Sequence, residues 1–194
     1  MNKRCTSCTE KEYKQCVCLL REGFEWNGKL IKPNYRIATV VILEATIGLR
    51  LGDVLRLRLS DFVRDGERWR LDFLEDKTEK LRTFTVPDKV YHFIQSYAYD
   101  QKISKTCKLF EISERQVQRH LNLVFQKMGV PIRQYGSHTF RKFFSMKVYT
   151  ESGYDIALVQ TLLQHSSPST TRLYLNVNQK RIEDALLRTA ENVI

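Results

Sequence analysis

The chain has 194 residues, of which 42% are hydrophobic and 28% charged, a globular balance with enough length to bury a core. Its 32 Lys and Arg exceed its 22 Asp and Glu by 10, a surplus that suits a polyanion but also fits a merely basic soluble protein. No apolar run is long enough to cross a bilayer and no signal-peptide core opens the chain, so no membrane association and a cytoplasmic location are expected.

In chain order, "TEKEYKQCVCLLREG" predicts a helix capped by Thr9, with Glu12 three residues on completing a capping box. "NGKLIKPN" breaks it with turn residues. "YRIATVVILEATIG" predicts a strongly apolar helix that ends at Gly48, a natural left-handed C-cap. "GDVLRLRLSDF" predicts a second, short helix running out near Ser60-Asp61. The period then changes: "RWRLDFL" alternates, with Trp69, Leu71 and Phe73 on one face, after a hairpin-turn signal at Asp65-Gly66. "LRTFTVP" predicts a partner strand, joined to the first by "EDKTEK".

Helical spacing returns in "DKVYHFIQSYAYDQ", "SERQVQRHLNLVFQKMG", "SHTFRKFFSMKVYTESG", "DIALVQTLLQ", "PSTTRLYL" and "NQKRIEDALLRTA". Start signals support several of these: Ser113 with Gln116, Asp155, and Ser167 ahead of Pro168. The expected fold is mainly α with a small antiparallel β-sheet (α+β).

Two other patterns carry no chemistry. "GFEWNGK" matches the front of a phosphate-binding loop, but Leu30 stands where Ser or Thr would bind magnesium, and no strand precedes it. Cys5, Cys8, Cys16, Cys18 and Cys107 invite a zinc reading. On a helix, however, Cys16 and Cys18 lie roughly 200° apart. Reduced thiols are the better reading, and no metal or cofactor is expected.

The chemistry concentrates elsewhere. Arg50 follows Thr46-Ile47-Gly48-Leu49 and precedes Asp53, Lys77 lies in the turn between the two strands, His138 stands three before Arg141, and Leu163-Gln164-His165-Ser166-Ser167 leads to Tyr174. In that order these elements resemble the tyrosine recombinases (phage-type integrases and Xer-like recombinases), over about residues 9 to 190. Two departures are visible: Gln164 where glycine is usual, and Lys142 where histidine is common after the second arginine.

The resemblance implies a single catalytic domain over residues 1–194 with the DNA breaking-rejoining fold, acting in site-specific recombination or integration. Nothing here corresponds to the additional N-terminal helical domain of full-length relatives, so weak DNA affinity is expected of this chain alone. Tyr174 is implied to attack the scissile phosphate and form a 3′-phosphotyrosyl bond, needing neither ATP nor metal. Arg50, supported by Asp53, and Arg141 are implied to grip the non-bridging oxygens, because a guanidinium offers paired donors and never deprotonates. His138 is implied to manage a proton, His165 to bond a non-bridging oxygen, and Lys77 to protonate the leaving 5′-oxygen, with Lys80 as competitor.

The implied partner is double-stranded DNA. Arg115, Gln118, Arg119 and Asn122 line one face of their helix, with Val117, Leu121 and Val124 on another, and in the family a helix at this place enters the major groove. The C-terminal segment 178–194 is implied to join a homo-tetramer on DNA. The rival readings are a non-catalytic DNA-binding module of the same fold, and strand cleavage of the type IB topoisomerase or telomere-resolvase kind.

Overall fold

A computed structural model describes residues 5–74, 81–132, 134–165, 167–175, 186–187 and 189–191. Lys77, Lys80, Ser166 and most of the segment 178–194 therefore lie outside the described residues. The chain gathers into two compact units, Met1–Phe144 and Ser145–Ile194.

In the first unit, α1 (Glu10–Glu22) opens with the expected capping box: the Glu12 N–H donates to Thr9 Oγ1 at 3.2 Å, and the Thr9 N–H donates back to the Glu12 carboxylate at 2.7 Å. Cys16 is buried and Cys18 exposed, the two sides of this helix that the spacing predicts. The Asn27-Gly28 pair, both at positive φ, then turns a short hairpin of β1 (Phe24–Trp26) and β2 (Lys29–Ile31). The turn residues predict only a break here; the structure makes it a hairpin, as the two-residue Asn-Gly signal favours.

Helix α2 (Tyr35–Ile47) is buried on almost every side, as its unbroken apolar run requires, and packs against α1, α3 and α4. It ends where expected, at Gly48 with φ 64°, whose N–H donates to the Glu44 carbonyl at 3.1 Å. Helix α3 (Leu51–Arg56) is shorter than predicted; a 3₁₀ turn at Leu59–Asp61 covers the rest of that segment.

The sheet has three strands, β3 (Phe62–Asp65), β4 (Arg68–Leu74) and β5 (Leu81–Val86), in antiparallel order. The predicted pair is β4 and β5. β3 is too short and too mixed in polarity to show a period on its own, and β4 supplies its ladder. Leu71 and Val86 are wholly buried, and the Trp69 ring stacks on Tyr91 of α4 (Asp88–Asp100), with centroids 3.4 Å apart. α5 (Glu114–Lys127) starts at Ser113 with a full capping box to Gln116 and buries Val117, Leu121, Val124 and Phe125.

Helix α6 (Thr139–Glu151) begins in the first unit and continues into the second. The second unit also holds α7 (Ile156–Leu163) and α8 (Pro168–Leu175), packed on each other, with Val159, Leu163, Thr171 and Leu175 buried. The Asp155 carboxylate caps α7 by accepting from the N–H groups of Ala157 and Leu158.

Candidate active site

Gly48 organises the candidate residues of the first unit. Its left-handed backbone lets α2 stop and α3 start within a few residues, placing Arg50 at the N-cap of α3. Leu49, Leu51 and Val54 are buried around it, so the Arg50 backbone is held rigidly while its side chain stays a quarter exposed. Asp53 is buried on the next turn, its carboxylate 4.0 Å from the Arg50 guanidinium.

Arg141 comes from a distant part of the sequence to the same spot. It is 2% exposed on α6, and its guanidinium donates to the Gly48 carbonyl. That carbonyl stands two positions before Arg50, so one backbone turn anchors both arginines. The sequence marked Gly48 as a helix cap; its second role, as an acceptor, is visible only in three dimensions.

His138 was predicted on the same helix as Arg141. Instead it lies in the turn immediately before α6, exposed, with its carbonyl accepting the Lys142 N–H at 3.0 Å. The buried Thr139 makes that turn: its hydroxyl accepts the Gly136 N–H at 3.0 Å, and its own N–H donates to the Gly136 carbonyl. A threonine hydroxyl competing for the backbone at this point delays the start of regular helix to Thr139, past the His138 that the pattern places on it. The N-terminal segment braces the same turn. Cys5 Sγ lies 3.0 Å from the Thr139 hydroxyl, and the Lys142 ammonium, at the position where the resemblance has histidine, donates to the Cys5 carbonyl at 2.6 Å.

Of the four residues expected on the outer face of α5, Arg115 and Arg119 are exposed, while Gln118 and Asn122 are half-buried. The Gln118 amide donates to Asn122 Oδ1 at 2.8 Å and accepts the Ser137 N–H at 2.9 Å. His120 lies on the same helix, and burial, with Arg119 adding to it, holds its imidazole below the usual range.

The second unit brings His165 and Tyr174 together. Their rings meet edge to face, with centroids 5.3 Å apart. Gln164 caps α7 in the left-handed conformation at φ 50°, which accounts for the glycine usual there. The following His165 is fixed twice: its carbonyl accepts from the Gln160 amide at 3.1 Å, and Nδ1 lies 3.0 Å from the hydroxyl of the buried Thr171. Thr171 was missed as a site residue; its place three before Tyr174, on the same face of α8, is the signal that could have found it. Among the described residues no three His, Cys, Asp or Glu gather as a metal site, and no helix is long and apolar enough to cross a membrane.

This is the catalytic fold of the tyrosine recombinases. The solved XerH site-specific recombinase bound to palindromic difH substrate, a post-cleavage complex, superimposes with a TM-score of 0.69 at 17% identity, over 93% of this chain and 52% of that one. The sequences carry the likeness further. The Phage integrase family matches residues 24–181. The probable integrase/recombinase YoeC of Bacillus subtilis is 30% identical over 77% of this chain and 82% of its own length. The tyrosine recombinase XerA of Pyrococcus furiosus is 27% identical over 97% of this chain, which spans 64% of that relative. The chain belongs to the phage integrase family.

Proposed function

We propose that this chain cleaves and rejoins double-stranded DNA at specific sites, with Tyr174 as nucleophile. The observation that carries this reading is the Arg141 hydrogen bond to Gly48, which brings Arg141 to the turn bearing Arg50 in a chain of this family. Two guanidiniums so placed suit the non-bridging oxygens of a phosphodiester as its charge builds toward the pentavalent state.

In the proposed step the Tyr174 hydroxyl oxygen bonds to phosphorus and the bond to the 5′-oxygen breaks. His138 takes the phenolic proton, His165 bonds a non-bridging oxygen, and Lys77 or Lys80 protonates the departing 5′-oxygen. The phosphodiester energy is conserved in the tyrosyl ester, so attack by another 5′-hydroxyl reverses the step on a new strand. Arg115 and Arg119 face the DNA, and residues 178–194 join neighbouring subunits into a tetramer. Deleting 178–194 should abolish assembly on DNA in analytical ultracentrifugation while leaving single-site binding in place.

The decisive test is a nicked suicide substrate taken from the flanks of the gene's own element. The wild type should become attached to the 3′ end, and Tyr174→Phe should not. Attachment surviving in Tyr174→Phe would reassign the nucleophile. Intact DNA binding without attachment would favour a non-catalytic module.

A further inference from the structure

We propose that Gln118 is a positioning residue that ties α5 to the turn carrying His138, and that it does not read bases itself. The inference rests on the recombinase reading, in which His138 takes the proton of the attacking tyrosine.

The geometry is specific. Gln118 is half-buried, and both atoms of its amide are engaged with the protein rather than projecting from the outer face of α5. Its Oε1 accepts the Ser137 N–H at 2.9 Å, one residue before His138. Its Nε2 donates to Asn122 Oδ1 at 2.8 Å, one turn further along the same helix. The two bonds together define the amide orientation, because a flipped amide would set N–H against N–H at Ser137. The turn runs close by the amide: a Cβ on Gly136 would lie 3.7 Å from Gln118 Oε1.

Asn122, Gln118 and the Gly136–Ser137 peptide, whose carbonyl in turn accepts the Thr139 N–H, thus form one polar chain on either side of His138. Each bond in such a chain polarises the next, so a change of α5 at Asn122 is felt at the turn. Arg115 and Arg119 stay outward on the exposed face, so the residues that meet DNA and the residue that passes their position on are different side chains of one helix. An engaged amide is a poor base reader: pairing bidentately with adenine would take Gln118 from both of its protein partners. Losing the Gln118 acceptor removes the tie of the turn to α5, leaving it held by Thr139 and the N-terminal segment, and a displacement of even about 1 Å at a reacting group can cost a hundredfold in rate.

The test compares wild type, Gln118→Leu and Gln118→Glu on the suicide substrate at saturating DNA. Alongside it, DNA affinity and base preference are measured for wild type and Gln118→Leu by fluorescence anisotropy on a panel of substituted sites. Gln118→Leu should slow covalent attachment roughly tenfold to a hundredfold, with affinity and base preference unchanged. Gln118→Glu, which still accepts from Ser137, should recover most of the rate. Lost base preference in Gln118→Leu with an unchanged rate at saturation would overturn the proposal in favour of direct reading. Equal slowing in both variants would overturn the acceptor role. Hydrogen exchange at the Ser137 amide, followed by NMR, separates this from failure of the recombinase reading. It should quicken in Gln118→Leu even if the wild type attaches to no DNA, and unchanged exchange would sink the tie itself.

Discussion

Glu44 places a carboxyl group on α2 with no solvent exposure, where neither oxygen meets a hydrogen-bond donor among the described residues. Burial drives its pKa well above the ordinary range, opposed by the Arg141 guanidinium and reinforced by the Glu114 carboxylate. The folded chain therefore holds this proton more tightly than the unfolded chain does. The resulting stability is complete below the ordinary carboxyl range and is lost as pH rises through the elevated value. Glu44→Gln should escape that loss, so its advantage in Tm over the wild type should widen from pH 5 upward; a constant gap would show that Glu44 does not titrate in the fold. Gln164 offers a second test at this scale. A side chain at φ 50° costs about 1 kcal/mol relative to glycine, so Gln164→Gly should be more stable by roughly that amount in urea. A loss of stability would mean that the Gln164 side chain contributes a contact outweighing its backbone strain.

Helix ends organise this molecule at the next scale. Capping boxes start α1 and α5, a left-handed glycine stops α2, and an aspartate starts α7. The α2 stop has the widest consequences, because its carbonyl also anchors Arg141. A Cβ on Gly48 would both strain the left-handed backbone and collide with the Phe144 ring. Gly48→Ala should accordingly cost about 2 kcal/mol or more in chemical denaturation. Whatever folds should attach to DNA more slowly as well, since the cap cannot move without moving the Arg141 anchor. Ordinary cleavage rates in a destabilised Gly48→Ala would uncouple the cap from the site.

Over the whole molecule, the surplus of 10 positive charges predicts a strong ionic term in DNA binding. The logarithm of affinity should fall linearly with the logarithm of salt, by about 0.9 per neutralised phosphate. If Arg115 and Arg119 meet phosphates, converting either to Gln should reduce that slope by about 1 and weaken binding alike on all sequences. If either instead relaxes the preference for one base pair, that arginine reads a base edge. A slope near zero would remove electrostatics from the account altogether.

Much of this was legible in the residues. Thr9, Ser113, Asp155 and Gly48 mark their helix ends because capping is local chemistry, complete within a few residues. The apolar run of α2 and the alternation of β4 are periodic signals of the same local kind. The ordered motif from Arg50 to Tyr174 was enough to name the family, which the match over residues 24–181 then showed. Partnered features were not legible: β3 is a strand because β4 lies beside it. The roles of Gly48, Thr171 and Gln118 were hidden for the same reason. Each is defined by a hydrogen bond to a residue beyond its own turn, and such bonds exist only once the tertiary structure has brought the two ends together.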